Sequence, residues 1–221
     1  AVPLGAYLDA PDGSTLLSRS MERFVSFEAR SGAIETRPIK GTVHHTAAGD
    51  DASDLRANRK ERAEHVMLVD LMRNDLGRIA EAGSVRPREL FRVEPYARLS
   101  HLVSIVDGRA REGVGVRELF AATFPPGSVT GAPKLAAIEH IERLERFPRG
   151  FYTGAIGTVA ADGSVSLSVA IRTAHVRAGT IEYFAGGGIV EASDPGREVE
   201  ETELKARVLE DAIESLERTG R

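Results

Sequence analysis

Apolar and polar residues alternate over much of the first forty positions, which is the pattern of β-strands. The alternation covers Ser14–Phe27 and Gly32–Thr36 and leads into the segment Pro38–Thr42. After the polar connector Gly49–Asp54 the spacing becomes helical, and Leu55–Ile79 carries apolar side chains on more than one face. We expect this helix to be buried, because a helix that is apolar nearly all round usually lies inside a larger domain.

Three further helices are predicted in the rest of the chain. Val116–Phe124 and Lys134–Glu145 flank the Pro- and Gly-rich segment Phe124–Pro133, through which neither helix can continue. The last helix begins at Ser193-Asp194-Pro195, where a capping side chain precedes a proline, and runs to about Leu216.

A β-meander is predicted before the last helix. Turn signals at Asp162-Gly163 and Ala178-Gly179 separate three alternating runs, which are Phe151–Ala160, Ser164–Arg177 and Thr180–Ala185. Strands, then helices, then antiparallel strands indicate an α+β fold with antiparallel sheets flanked by helices. The length suits one large domain or two small ones, and we expect one domain over residues 1–221.

Composition excludes several classes of protein. Of the 221 residues 42% are apolar, and the net charge of −4 argues against nucleic acid as the main partner. There is no cysteine, which excludes disulfides and thiolate metal sites. No apolar run approaches the roughly 20 residues that span a bilayer, and Ala1–Asp9 does not resemble a signal peptide. We therefore expect a cytoplasmic protein that does not bind membranes.

Charged residues interrupt the apolar face of the last helix. Positions spaced by three and four share that face, and they are Glu198, Glu201, Lys205, Val208, Ala212 and Leu216. Because the later half is apolar, we expect it to be buried and the two carboxylates and the ammonium to point inward. The alternative is an ordinary surface pair of Glu201 with Lys205.

The predicted helix Leu55–Ile79 raises the same question. Glu61 and Glu64 are three residues apart, and Leu68 and Leu71 follow them on one face. Two such pairs of glutamates on two buried helices are suited to a hard cation such as Mg²⁺, which takes oxygen ligands.

The meander adds candidate anion-binding groups. In the predicted strand, small residues on one face lead to Arg172, which is typical of a carboxylate receptor at the end of a cavity. Gly186-Gly187-Gly188 lets backbone N–H groups converge on an anion, although a flexible turn is the alternative. Together with the magnesium site, these groups favour a small polycarboxylate substrate.

Eight segments of the chain, in order, resemble the chorismate-binding enzymes, which include the large subunits of anthranilate synthase and aminodeoxychorismate synthase. The segments are Arg37–Thr42, Glu61–Asp75, His101–Ser104, Ser128–Lys134, Tyr152–Gly154, Ile171–Thr173, Ala185–Val190 and Glu200–Lys205. The resemblance covers nearly the whole chain. It implies the α+β fold of that family, apparently without its N-terminal portion.

The resemblance also implies roles for individual residues. Glu64 and Glu201 match Mg²⁺ ligands, with Glu61 and Glu198 close by as further partners of the ion. The positions that match groups in contact with chorismate are Ser128, Tyr152, Arg172, Gly186, Gly188 and Lys205. His101 matches a histidine near the reacting ring, although a purely structural role is the alternative. Glu22 matches a candidate general acid near the C4 hydroxyl.

Lys40 distinguishes members of the family. The resemblance implies that aminodeoxychorismate synthases carry lysine at this position, where anthranilate synthases typically carry alanine. It therefore implies synthesis of 4-amino-4-deoxychorismate, towards p-aminobenzoate and folate, through a covalent adduct on Lys40. Ammonia would come from a glutamine amidotransferase partner, since the chain has no cysteine nucleophile of its own.

Two substitutions depart from the family pattern. Val43-His44-His45 replaces a basic segment near the entrance of the pocket, and Met21 replaces the proline before Glu22. Two alternatives to the aminodeoxychorismate reaction remain open at this point. One is an anthranilate synthase, and the other is a non-catalytic fragment that binds chorismate.

Overall fold

A computed structural model describes residues 4–44, 59–96 and 99–219 of the chain. The connector predicted at Gly49–Asp54 and the residue His45 lie outside the described residues. None of the helices in these ranges is long and apolar enough to cross a membrane.

The described residues form eleven strands and four α-helices. The strands are β1 (Ala6–Asp9), β2 (Thr15–Ser18), β3 (Arg23–Glu28), β4 (Ala33–Arg37), β5 (Ile39–His44), β6 (Arg86–Pro95), β7 (Leu99–Arg109), β8 (Ala155–Val159), β9 (Val165–Val169), β10 (Thr173–Arg177) and β11 (Thr180–Tyr183). The helices are α1 (Arg59–Gly77), α2 (Val116–Thr123), α3 (Lys134–Leu144) and α4 (Pro195–Thr219), and a 3₁₀ turn spans Gly127–Val129. The predicted α+β class with antiparallel sheets is confirmed, since every strand pair is antiparallel.

The chain divides into two compact units. The smaller unit contains the described parts of Ala1–Met21, Arg149–Gly154 and Ala170–Arg221, and the larger contains those of Glu22–Pro148 and Ala155–Val169. The expectation of one domain over residues 1–221 stays a prediction.

The larger unit is built on the long strand β7. This strand pairs with β4 and β5 along one edge and with β6 along the other. The order β5-β7-β4-β3-β9-β8 completes a sheet of seven strands together with β6. Its core holds the fully buried side chains of Leu102 and Val106 on β7, with Leu76 on α1 and Leu119 on α2. The sheet therefore gives α1 a continuous apolar surface to pack on.

The smaller unit combines a four-stranded sheet with the longest helix. The strands lie in the order β1-β2-β10-β11. Helix α4 begins where the sequence predicts, and the Asp194 carboxylate accepts a hydrogen bond of 3.0 Å from the backbone N–H of Arg197. That bond satisfies one of the donors left without a partner in the first turn of a helix.

One predicted strand is two strands. Ser164–Arg177 is interrupted at residues 170–172, so that β9 joins the larger sheet and β10 the smaller one. Arg172 has a φ of +52°, which ends the extended conformation. The prediction that small residues on one face of a single strand lead to Arg172 was therefore wrong.

Two predictions about helix burial were also wrong. Helix α1 buries His65, Val69, Met72 and Leu76 but exposes Val66 and Met67, so it is amphipathic rather than buried all round. On α4 the predicted apolar side chains Val208 and Leu216 are exposed. The half-buried positions of α4 follow a neighbouring stripe instead, which comprises Glu198, Thr202, Lys205, Ala206, Leu209 and Ile213. The later half of this helix carries apolar residues along both stripes, and their spacing alone does not indicate which stripe is packed against the rest of the unit.

Candidate active site

In the larger unit, Lys40 forms an ion pair with Glu64. Lys40 lies on β5 and Glu64 on α1, and their Nζ and Oε2 atoms are 2.9 Å apart. The pairing of β5 with β7 shifts register between Ile39 and Thr42. An irregularity of this kind redirects a side chain out of the ladder. The lysine is 31% exposed and the glutamate 14%, so the pair is partly screened by solvent.

Glu22 is a buried carboxyl that precedes β3. Burial raises its pKa to about 7, although the nearby Ser128 hydroxyl and the charge of Lys40 act in the opposite direction. A carboxyl with this pKa is protonated in a large fraction of molecules at neutral pH. It can therefore donate a proton, which is the property required of a general acid.

Ser128 reaches this cluster from a tightly packed turn. It is the middle residue of the 3₁₀ turn Gly127–Val129. A Cβ atom on Gly127 would lie only 2.8 Å from Leu71 on α1, so glycine allows the turn to approach the helix. The buried Ser128 hydroxyl completes no hydrogen bond of good geometry in the described part of the chain. It is still close enough to Glu22 to affect the pKa of that carboxyl.

His101 is held in the middle of the larger sheet. It lies on β7 directly opposite Thr42 of β5, and the Thr42 Oγ1 and His101 Nδ1 atoms are 2.9 Å apart. The ring of Tyr96 packs edge-on against the imidazole, with the ring centroids 5.4 Å apart. These contacts fix the orientation of the buried ring, and they are compatible with the catalytic and with the structural interpretation.

Two buried features of the larger unit are not predicted from the sequence. The first is His65, whose fully buried imidazole packs edge-on against Phe91. Burial lowers the pKa of His65 to about 4, so the ring is neutral at physiological pH. The second is the ion pair of Asp75 with Lys134. His65, Asp75 and Lys134 all lie in segments that resemble the family. The spacing of these residues along the chain does not predict that they are buried.

In the smaller unit, the predicted substrate contacts meet at one turn of α4. Arg172 donates a hydrogen bond of 2.6 Å to the backbone carbonyl of Lys205. The Lys205 ammonium lies 2.7 Å from Glu201 and donates to the carbonyl of Gly186 at 2.9 Å. Glu201 and Lys205 thus form the ion pair that the surface alternative predicts. Lys205 is in addition hydrogen-bonded to the glycine segment.

The glycine segment lies close against polar side chains of the same unit. A Cβ atom on Gly186 would be 2.9 Å from the hydroxyl of Tyr152, and one on Gly187 would be 2.9 Å from Glu198. Glu198 also accepts a hydrogen bond of 2.6 Å from Ser193. Gly188 follows in the same segment, which has no regular secondary structure. A side chain at either of these two positions would therefore have to displace the end of the Tyr152 or Glu198 side chain.

The carboxylates have the donor chemistry that Mg²⁺ requires, since this ion takes oxygen ligands. Glu64 belongs to the larger unit, and Glu198 and Glu201 belong to the smaller one. The Glu61 side chain lies outside the described residues. Among the described side chains, no group of three or more His, Cys, Asp or Glu is arranged to hold a metal ion. The magnesium ligands therefore stay a prediction.

Comparison with known proteins places the chain in one enzyme family. The family model for chorismate binding enzymes matches residues 1–211. The chain belongs to the chorismate binding enzymes, and the resemblance seen in its motifs is confirmed.

Relatives with two different activities are similar to the chain to the same degree. It is 45% identical to anthranilate synthase component 1 of Aquifex aeolicus over 97% of its own length and 44% of the relative's. It is 44% identical to aminodeoxychorismate synthase of Streptomyces griseus over 99% of its length and 31% of the relative's. The solved structure of anthranilate synthase component I from Streptococcus pneumoniae superposes with a TM-score of 0.82 at 39% identity, covering 93% of this chain and 45% of that one. The chain thus spans less than half the length of these relatives.

Proposed function

We propose that the chain is the part of an aminodeoxychorismate synthase that carries out the reaction on chorismate. The observation that carries this proposal is Lys40, which β5 directs towards Glu64 and whose charge acts on the buried carboxyl of Glu22. A lysine beside a protonated acid is the pair of groups that covalent substitution on chorismate needs.

The proposed reaction proceeds in two displacements. The neutral amine of Lys40 forms a bond to C2 of chorismate, while the C4 hydroxyl leaves as water with the proton of Glu22. Ammonia then forms a bond to C4, the two ring double bonds shift back, and the bond between C2 and the Lys40 nitrogen breaks with its electron pair passing to that nitrogen. The Glu22 carboxylate takes up the proton that the bound ammonia loses. The lysine is released as an amine, and the product is 4-amino-4-deoxychorismate.

Other groups bind and orient the substrate in this proposal. Tyr152, Arg172 and the backbone of Gly186 and Gly188 hold carboxylates, and Lys205 and Ser128 make further contacts. Mg²⁺, when bound to Glu64 and Glu201 with Glu61 and Glu198 close by, would supply positive charge for the ring carboxylate. His101 would lie near the reacting ring. A glutamine amidotransferase would supply ammonia, since the chain has no cysteine for glutamine hydrolysis.

Intact-protein mass spectrometry tests the proposal. The protein is incubated with chorismate and Mg²⁺ without ammonia, in parallel with the variant Lys40→Ala. We expect a covalent adduct on the wild type that the variant lacks. Chorismate binding without an adduct, detected as a raised melting temperature, would favour a non-catalytic chorismate-binding protein.

Anthranilate synthase is the second candidate function, because the anthranilate and aminodeoxychorismate relatives have nearly equal identity to the chain. That reaction places nitrogen at C2 and releases pyruvate. Supplying ammonia and measuring pyruvate therefore separates the two candidates. Anthranilate and pyruvate without a Lys40 adduct would contradict the aminodeoxychorismate assignment.

A further inference from the structure

Asp75 and Lys134 form a buried ion pair that none of the proposed chemical steps uses. Asp75 lies near the end of α1 and Lys134 is the first residue of α3, and the Nζ and Oδ2 atoms are 2.5 Å apart. The ammonium also donates a hydrogen bond of 2.9 Å to the backbone carbonyl of Thr123, the last residue of α2. With side chains only 8% and 14% exposed, the pair ties three helices together.

The same ion pair closes the loop that carries Ser128. This loop runs from the end of α2 to the start of α3, and Lys134 bonds both to Thr123 at its beginning and to α1. At its middle, Gly127 lies against Leu71, which precedes Asp75 by four residues and so shares its face of α1. Inside the loop, the Thr130 hydroxyl donates to the carbonyl of Pro126. The loop is therefore held to one face of α1 at two points, on either side of Ser128.

We propose that Asp75 and Lys134 are a positioning pair that holds the Ser128 hydroxyl beside the Glu22 carboxyl. Ser128 is one of two groups that counteract the effect of burial on Glu22, and Lys40 is the other. The ion pair touches neither substrate nor Glu22 in this proposal and acts only through the loop. This proposal deepens the proposed function. It rests on that function for its catalytic meaning, because Glu22 is the proposed acid.

The test compares the titration of Glu22 in variants of the full chain. Infrared difference spectra against Glu22→Gln isolate the carboxyl band of this residue over a range of pH. We expect Lys134→Met to raise the pKa of Glu22 as much as Ser128→Ala does, because both changes take the hydroxyl away. In the double variant, Lys134→Met is expected to add no further shift, which is the signature of action through Ser128.

Arg111→Met is a matched control. Arg111 also holds the segment that follows α1 in place, through hydrogen bonds to the carbonyls of Arg78 and Ala80, and both of these bonds go to residues outside the loop. We expect it to lower the melting temperature and leave the titration of Glu22 unchanged. Lys134→Arg, which keeps the charge and its donors, should restore the wild-type titration and provides a second variant if Lys134→Met does not fold.

Three results would overturn the proposal. One is a folded Lys134→Met protein with the wild-type titration of Glu22. Another is a shift of equal size with and without Ser128, which would mean direct electrostatic action. The third is a folded Lys134→Arg protein whose titration matches that of Ser128→Ala. None of these measurements needs turnover. A wild type that forms no adduct would contradict the proposed function, while the titrations of Glu22 would still test the role of the ion pair.

Discussion

Lys40 of β5 and Glu64 of α1 form an ion pair with a separation of 2.9 Å between Nζ and Oε2. The family resemblance implies separate roles for these residues, as a nucleophile and as a magnesium ligand, and in the structure they are direct partners. A lysine can attack only as a neutral amine. In the proposed reaction, Lys40 must therefore lose both its proton and its carboxylate partner before it forms a bond to chorismate.

Replacing Lys40 by arginine should separate the ion pair from the chemistry. Arginine keeps a positive charge beside Glu64 but is not deprotonated in proteins. We expect Lys40→Arg to form no adduct with chorismate and to lose activity by roughly a thousandfold or more, as enzymes that lose a nucleophile do. Its free energy of unfolding, measured in urea, should stay within about 1 kcal/mol of the wild type, since partly exposed pairs contribute little. An arginine variant with substantial activity would exclude Lys40 as the nucleophile.

The buried carboxyl of Glu22 should make the protein less stable as the pH rises. Its pKa is 4.5 when unfolded and about 7 when folded, so the folded state binds the extra proton between these values. Stability from this group is complete below pH 4.5 and is lost as the pH rises through 7. The loss amounts to about 3 kcal/mol at 1.36 kcal/mol for each unit.

Glu22→Gln removes this dependence. We expect the difference in free energy of unfolding, variant minus wild type, to increase by about 3 kcal/mol between pH 4.5 and pH 8. Urea titrations at several pH values measure it, and the wild type in the same buffers is the reference. A constant difference would show that Glu22 titrates normally. The same protonation predicts that product formation by the wild type declines above about pH 7.

His65 should have the opposite effect. Burial lowers its pKa from 6.5 to about 4, so between these values the unfolded state binds the extra proton. Stability from this group is present above pH 6.5 and is lost as the pH falls towards 4, by about 3 kcal/mol. We expect the stability of His65→Gln relative to the wild type to be lower at pH 7 than at pH 4 by this amount. A difference that does not change with pH, measured in buffer without metal, would contradict the neutral buried state.

Local signals in the sequence predict local structure well. The Asp162-Gly163 turn is present, with Gly163 at a φ of +85° and Ser164 hydrogen-bonded to Asp162. The cap of α4 at Asp194 is also where the sequence places it. Each of these features depends on a few neighbouring residues, whose preferences are intrinsic.

Features that depend on distant residues could not be predicted in the same way. Thr42 and His101 become partners only through the register of β5 on β7, and Asp75 meets Lys134 only when the loop packs on α1. The family resemblance supplies residue types at such positions, but not their contacts. The break at Arg172 could not be predicted for the same reason. The sequence predicts one alternating strand, but its first half pairs in one sheet and its second half in the other.

Gly157 should not tolerate a side chain, although its strand is at the edge of the larger sheet. A Cβ atom there would overlap the carbonyl oxygen of Ser166 and lie 2.9 Å from the Cα of Leu167, both in the backbone of β9. We expect Gly157→Ala to reduce the free energy of unfolding by at least about 2 kcal/mol, because the backbone must shift. Gly77→Ala is the control, since nothing lies within 4 Å of that position and alanine favours the helix. Equal stability of the two variants, measured in urea, would contradict the predicted clash.

Gly186 should control chorismate binding through Tyr152. A Cβ atom at position 186 would lie 2.9 Å from the Tyr152 hydroxyl but 4.0 Å from the ring carbon that bears it. Gly186→Ala should therefore displace a group that we propose to bind a carboxylate, and we expect chorismate affinity to fall by roughly tenfold, equivalent to about 1.4 kcal/mol. The ring itself stacks on Phe184 and is free of the clash, so the overall stability should change little.

The double variant with Tyr152→Phe decides whether the effect passes through this hydroxyl. Without the oxygen there is room for the methyl group, so adding Gly186→Ala to Tyr152→Phe should weaken binding much less than adding it to the wild type. Isothermal titration calorimetry of the four proteins gives the coupling between the two positions. Equal losses in both backgrounds would mean that Gly186 acts through its own backbone. In that case the close approach to Tyr152 would not be the reason for glycine at this position.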